Sequence, residues 1–160
     1  MSAQLHEAIA TLLGLAEDQV VPFGMAIPGD QHLPLATLLK EHGYTAYVTV
    51  VATHFPMEKV TKKNPEPAPA SIEVATVLRR AVAGCADTFS WRVVVPEGGA
   101  VDSLVPLFAG ADWQEREQYD LLGVGFTNHP DLRRLMMPED WPGHPLRRDY
   151  DIDTAHHPWR

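Results

Sequence analysis

The last third of the chain, residues 113–150, constrains the fold most because proline interrupts it and its cations are all arginine. Five prolines follow Phe126, which disfavours a long helix or strand there. Five of the nine arginines lie between Arg116 and Arg148, whereas the last lysine is Lys63. Arginine pairs with carboxylates in a bidentate way and is the cation preferred in buried or interfacial ion pairs. The pattern predicts a fixed surface that recognises another protein.

The composition bounds the class of protein. The 160 residues, 45% of them hydrophobic, suit one domain or one domain with an extension. The formal charge of −8 argues against general binding of nucleic acid. No apolar run reaches the roughly 18 residues of a membrane span, and no secretion leader is visible at Met1. The single cysteine, Cys85, excludes an internal disulfide and a cysteine-based zinc or iron–sulfur site made by this chain alone. We therefore expect a cytosolic, acidic domain.

Apolar periodicity and turn residues predict an α/β fold in the α+β sense. We expect a small mixed sheet packed by helices over residues 1–126, followed by a Pro-rich extended arm over residues 127–160. Without a partner, we expect the arm to be poorly ordered or held by contacts within the chain. The predicted helices cover residues 2–14, 33–39, 102–108 and 112–122, and the predicted strands cover 19–27, 44–54, 71–78 and 89–95. Residues 59–70 are predicted to form an exposed loop, Asp112 to cap the last helix and Gly123 to end it.

The helix WQEREQYD mixes aromatic and charged side chains on every face. Arg116 and Asp120 are four residues apart, and Glu117 lies three before Asp120, so both acids are expected neighbours of Arg116. One interpretation is a helix that buries ion pairs, with Trp113 and Tyr119 excluding water. The other is a solvated helix whose ion pairs each contribute about 0.3–0.5 kcal/mol. The residue types leave both open.

No catalytic constellation is predicted. Glu115 and Glu117 are two residues apart, so on a helix they point about 200° apart and do not face one substrate. Gly98-Gly99 is not followed by a phosphate-loop lysine, and no GxSxG elbow occurs. Cys85 has no basic neighbour in sequence that would activate it as a nucleophile. Catalysis by this chain alone is therefore not expected.

Histidines of the arm raise the alternative of a free-standing metal-dependent enzyme. The candidate ligands are His129, His144, His156 and His157, with Asp131, Asp149 and Asp153 nearby. Three of these histidines precede proline, which is typical of turns, and no HExxH spacing occurs. We therefore expect structural histidines that donate to backbone carbonyls, and no metal site.

The run EREQYDLLGVGFTNHPDLRRLMMPEDWPGHPLRRDY resembles the signature of the thirty-kilodalton subunit family of respiratory complex I, also known as its C-type subunit. The match covers about a quarter of the chain and departs at Arg148 and Asp151, where the family usually has Lys and Pro. The first 110 residues lack the usual acidic motif of the family after the second strand. The same module occurs in group 4 membrane-bound hydrogenases and formate hydrogenlyase-type complexes. The residues assigned to a partner interface or to the structural signature are Trp113, Glu115, Arg116, Glu117, Tyr119, Asp120, Phe126, His129, Asp131, Arg133, Arg134, Trp141, His144, Arg147, Arg148, Asp149 and Tyr150.

The resemblance implies a scaffold role in the peripheral arm of an NADH:quinone oxidoreductase, on the cytoplasmic face of the inner membrane. It implies packing on the D-type quinone-site protein, which is related to hydrogenase large subunits, and on neighbouring subunits. It also implies no cofactor in this chain, with FMN, iron–sulfur clusters and quinone in partner subunits. The equivalent subunit of an energy-converting hydrogenase is the alternative within the family.

Overall fold

The computed structural model describes residues 2–59, 66–82 and 85–151. Helix α1, Ala3–Leu13, begins where the Ser2 hydroxyl accepts a hydrogen bond from the Leu5 amide, and it ends at Gly14 with φ 63°. Helix α2 covers His32–Glu41. Both predicted helices are confirmed, because cap residues and apolar spacing are local signals.

A four-stranded mixed sheet forms the centre of the domain. Its strands are β1 (Met25–Ala26), β2 (Ala46–Phe55), β3 (Ser71–Val82) and β4 (Cys85–Pro96), in the order β1-β4-β3-β2. Strand β1 runs parallel to β4, whereas β3 is antiparallel to both of its neighbours. Alternate residues of β2, β3 and β4 join α1 and α2 in one hydrophobic core. The predicted small mixed sheet packed by helices is confirmed.

A second layer begins after β4 with β5 (Ala100–Asp102), α3 (Ala111–Leu122) and β6 (Gly125–Thr127). Strands β5 and β6 pair in parallel. The predicted helix over 102–108 is wrong, because the Ser103 amide donates to the Thr127 carbonyl and continues the pairing, and only turns follow. The predicted strand over 19–27 shrinks to two residues, since Pro22 and Gly24, with φ 68°, interrupt extended pairing.

Helix α3 begins at Ala111 after Gly110, so the predicted N-cap role of Asp112 is wrong. Gly123, with φ 75°, ends the helix as predicted. Residues 128–151 contain no helix or strand, which agrees with the effect of the prolines. Part of the predicted loop and the arm residues Asp153, His156 and His157 lie outside the described residues. Among the described residues, no helix is long and apolar enough to cross a membrane.

Candidate functional site

Helix α3 lies along the open edge of the sheet and protects it. The Gln114 side-chain oxygen accepts a hydrogen bond of 3.0 Å from the Val50 amide, and that of Gln118 accepts one of 2.9 Å from the Ala52 amide. These are alternate amides on the free side of β2, and exposed edge amides invite pairing with other chains. The two glutamines therefore fix α3 on the sheet. Their spacing of four residues was the sequence signal, which our interpretation of the charged side chains missed.

The carboxylate of Asp120, fully buried near the end of α3, organises the arm. Its Oδ2 accepts hydrogen bonds from the amides of Leu135, Met136 and Met137 at 3.0, 2.6 and 2.8 Å, and its Oδ1 lies 2.9 Å from Nη1 of Arg134. Burial alone would raise the pKa of Asp120, but the three amides and the guanidinium outweigh it and lower the pKa. Asp120 is therefore an anion that the arm encloses.

Arg116 is buried, but its contacts differ from the prediction. Its Nε donates to the Arg133 carbonyl at 3.3 Å and its Nη2 to the Arg134 carbonyl at 3.4 Å. The predicted pairing of Arg116 with Glu117 and Asp120 is wrong, because the arm folds back over α3 and Arg134 occupies the Asp120 carboxylate. The interpretation of α3 as a helix that buries charge is confirmed, whereas the predicted pairing partners are not.

The arm also caps the carbonyls at the end of α3. A ring nitrogen of His144, Nδ1, lies 2.8 Å from the Asp120 carbonyl oxygen, and Arg147 Nε donates to the Leu122 carbonyl at 2.7 Å. A Cβ at Gly123 would lie 2.5 Å from His144 Nε2, so glycine is needed there for space as well as for its positive φ. A cationic donor at this end, here Arg147, stabilises a helix, because its last carbonyls carry the negative end of the dipole.

Arg134 ties the arm to itself as well as to α3. Its Nη2 donates to the carbonyls of Trp141 and Gly143 at 3.1 and 3.2 Å.

Burial lowers the pKa of His144, and the nearby guanidinium groups of Arg147 and Arg134 lower it further. A neutral His144 then donates from Nδ1 to the helix carbonyl. The prediction of structural histidines is confirmed at this position.

A second buried acid, Glu115, holds the turn that precedes α3. The Ser103 hydroxyl donates to its Oε2 at 2.6 Å, and the Leu104 amide donates to its Oε1 at 2.8 Å. Burial raises the pKa of Glu115 to about 7, against the opposing effect of these two hydrogen bonds. The ring of His129 lies nearby, with Nε2 3.4 Å from both the carbonyl oxygen and a carboxylate oxygen of Asp112 and 3.9 Å from Glu115 Oε2.

The other predicted residues divide between the inside and the outside of the molecule. Tyr119 packs against the core and Phe126 is buried in β6. Trp113 is 66% exposed, so it does not exclude water from α3 as expected. Asp131 and Arg133 form an exposed ion pair, with 2.9 Å between Arg133 Nε and Asp131 Oδ2. This pair is separate from the buried pair of Asp120 and Arg134. Half-buried residues are Glu117, Trp141 and Tyr150.

A group that could hold a metal ion lies where the arm meets the sheet. Ligand atoms of His54, Glu97 and Asp149 all lie within 4.8 Å of one another. However, His54 Nδ1 accepts a hydrogen bond of 3.2 Å from the Arg148 amide, and Glu97 is paired with Arg147. His54 and Glu97 are therefore already bound to residues of the arm. His54 and Glu97 lie far apart in sequence and approach the arm only in the fold, so no sequence pattern indicated them.

Comparison with known proteins decides the family. Residues 25–156 match the family model described as the respiratory-chain NADH dehydrogenase, 30 Kd subunit. The chain belongs to this family. The match includes the β-sheet, α3 and the described arm, so it extends well beyond the signature run.

Similar proteins support the same conclusion. The chain is 56% identical over 67 residues to the C-type subunit of the NADH-quinone oxidoreductase of Geobacter metallireducens, which is 41% of each chain. It is 64% identical over 50 residues to the J-type subunit of the NAD(P)H-quinone oxidoreductase of a Synechococcus species, which is 31% of this chain and 28% of that relative. The matched segments therefore span less than half of the length of these relatives.

Two solved structures share the fold. A trypsin-resistant fragment of Nqo5 superposes with a TM-score of 0.53 and 23% identity over 67% of this chain and 80% of that chain. A chain of the membrane-bound sulfane sulfur reductase, an archaeal respiratory membrane complex, superposes with a TM-score of 0.65 and 17% identity. That match covers 93% of this chain and 86% of the other. At these identities the likeness concerns the fold.

Proposed function

We propose that this chain is a non-catalytic subunit of the peripheral arm of an NADH:quinone oxidoreductase, complex I. It would bind the D-type protein that contributes to the quinone site, at the cytoplasmic face of the inner membrane. The observation that carries the proposal is the set of contacts of Asp120 with Arg134 and with the amides of Leu135, Met136 and Met137. These charges fix the arm and do not face a substrate. Family membership and the names of the curated relatives support the choice of complex.

The fixed arm and α3 leave large apolar side chains exposed. Trp113 is 66% exposed, Met136 63% and Leu146 60%. Tryptophan, methionine and arginine are enriched in protein–protein interfaces, and tryptophan contributes disproportionately to binding. Exposed side chains of these types suit binding to a large, permanent partner. The proposal assigns FMN, iron–sulfur clusters and quinone to partner subunits, because this chain has one cysteine and no phosphate loop.

Purification of the native complex through a tag on this chain tests the proposal. We expect mass spectrometry to identify a D-type quinone-site protein in a fixed ratio to this chain. Trp113→Ala should lower recovery of the partner by about 30-fold, which corresponds to about 2 kcal/mol for an interfacial tryptophan. Phe23→Ala is the matched control, because Phe23 is also 66% exposed but precedes β1. A wild-type chain recovered without any respiratory protein would overturn the proposal.

A second candidate is the equivalent subunit of another membrane-bound respiratory complex, such as an energy-converting hydrogenase. This second candidate is supported by the fold that the chain shares with the archaeal sulfane sulfur reductase chain, at a TM-score of 0.65. The same purification separates the two. Two CxxC pairs in the large partner would indicate nickel–iron ligation and a hydrogenase-type complex, whereas co-purified NADH-oxidising subunits would indicate complex I.

A further inference from the structure

We propose that a groove between the end of β2 and the arm binds an extended segment of a neighbouring subunit that carries a carboxylate beside an apolar side chain. We call it the Phe55–Arg148 groove, after the residues that would bind these two groups. This inference rests on the proposed function, since it names the chemistry of one contact with a partner.

The groove has a volume of about 440 Å³ and largely apolar walls. Its lining residues are Phe55, Pro56, Met57, Glu58, Ala68, Pro69, Ser71 and Arg148. Phe55 is 41% exposed and Met57 66% exposed, so apolar area faces the solvent there. Two of the lining residues are prolines, which lack a backbone N–H and restrict the chain. The walls therefore offer a rigid apolar surface to an extended segment.

The backbone of Arg148 is held at the rim of this groove. Its amide donates to Nδ1 of the buried His54, and its guanidinium carbon lies 5.4 Å from the centre of the Phe55 ring. On either side of it, Arg147 pairs with Glu97, and the exposed Asp149 has a carboxylate oxygen 3.5 Å from His54 Nδ1. The arm therefore directs one guanidinium outward against an aromatic ring.

Arg148 differs in its ion pairing from the other arginines in the described part of the arm. Arg133 pairs with Asp131, Arg134 with Asp120, and Arg147 with Glu97. Among residues 2–59, 66–82 and 85–151, no ion pair includes the guanidinium of Arg148. Although the chain as a whole has a net charge of −8, this exposed cation beside apolar walls attracts an acidic group locally.

The chemistry of the groove selects a single carboxylate. The guanidinium of Arg148 lies over the Phe55 ring, and its planar set of N–H groups suits bidentate binding of a carboxylate. Asp149 is exposed next to the groove, so a polyanion such as a phosphate-rich lipid surface would meet negative charge there. A protein segment with an Asp or Glu beside one apolar residue satisfies both Arg148 and the Phe55–Met57 wall.

A photo-cross-linking amino acid in place of Met57, in the assembled complex, tests which molecule occupies the groove. We expect a cross-link to a neighbouring subunit, in a segment with Asp or Glu within a few residues of the attachment point. The same amino acid at Phe23 is the control and should not label that segment. Labelling of this chain itself, labelling of lipid, or no labelling in an intact complex would each overturn the proposal.

Charge reversal tests the role of the cation. Arg148→Glu should lower recovery of the cross-linked partner at least tenfold, and reversing the identified acid of the partner to lysine should restore it. Arg92→Glu reverses an exposed arginine of β4 that has its own partner, Glu73, and lies outside the arm, and it should change recovery by less than about twofold. Thermal melting of the full chain should be nearly unchanged for both variants, because both side chains lie on the surface.

Equal recovery for wild type and Arg148→Glu would show that the groove is not a binding site, even though the complex forms. Loss of recovery that the partner reversal does not restore would likewise count against a carboxylate. By contrast, a wild-type chain that enters no respiratory complex would overturn the proposed function, and the groove proposal with it. The two failures are therefore distinguishable.

Discussion

The sheet and the arm satisfy their polar groups in opposite ways. In the sheet, backbone amides and carbonyls pair along β2, β3 and β4, and apolar side chains fill one face. In residues 128–151, which form no regular element, a few charged side chains bind the backbone instead, with Asp120 alone accepting from three amides. Stability is thus distributed over many contacts in the sheet and concentrated in a few side chains at the arm.

Replacement of Asp120 should give the largest effect. Asp120→Asn keeps the shape but removes the charge, leaving Arg134 without its buried partner and presenting a donor group to backbone amides. We expect a loss of about 3–5 kcal/mol in the free energy of unfolding, as for a broken buried ion pair. Urea denaturation measures the loss, and hydrogen exchange should show Leu135, Met136 and Met137 losing protection before the sheet does.

Asp131→Asn is the matched control, because Asp131 is exposed and pairs only with exposed Arg133. It should change stability by less than about 0.5 kcal/mol. Equal effects of the two substitutions would contradict the idea that one buried anion holds the arm.

The pH dependence of stability should reveal Glu115. Its pKa is raised from 4.5 to about 7 in the folded chain, so the folded state binds the proton more tightly than the unfolded chain. The stabilising contribution is complete below pH 4.5 and is lost as pH rises through about 7. A loss on the order of 3 kcal/mol follows from the size of the shift. Glu115→Gln should remove this part of the pH dependence in chemical denaturation, and an unchanged profile would exclude Glu115 as its source.

Arg116→Ala should cost less than loss of Asp120. Among the residues that the structure describes, its guanidinium binds two carbonyls and no carboxylate, so its removal leaves two acceptors unpaired and should cost about 2–3 kcal/mol. Thermal unfolding of the variant measures this. A cost as large as that of Asp120→Asn would indicate that an acidic partner of Arg116 exists after all.

The smallest effect is expected at the sheet edge. Gln118→Ala frees the Ala52 amide to bind water, and should cost about 1 kcal/mol. Exposing an edge amide should also raise the tendency of the chain to self-associate, which sedimentation velocity would detect. Gln118→Glu, which retains an acceptor oxygen, should restore the monomer. A substantial loss of arm protection in Gln118→Ala would show that the edge and the arm are not separate.

Local signals account for what the sequence predicted. Ser2, Gly14 and Gly123 mark helix ends through their own backbone and side-chain chemistry, and the β-branched residues of β2 to β4 mark strands. The signature itself indicated the family, and a buried set of charges on α3 was one of the two interpretations of its residues.

Non-local contacts account for what the sequence did not predict. Strand β5 was not predicted, and the predicted helix over 102–108 began at its last residue, because its partner β6 comes only after α3. The donors to Asp120 are mainly backbone amides, which every residue except proline has, so no residue type identifies them. Helical spacing alone therefore predicted that Arg116 pairs with Asp120. In the folded chain, Arg134 of the arm pairs with Asp120 instead.

Because Asp120 lies near the end of α3, we expect this helix to gain its full stability only after the arm has been synthesised. During synthesis, α3 emerges before residues 134–147, so its last carbonyls and this carboxylate initially meet only water. A negative charge at the negative end of a helix dipole weakens that helix. Helix α3 therefore becomes fully stable only when Arg134, His144 and Arg147 have left the ribosome, and chains shortened before Arg134 would present a frayed helix to cellular proteases.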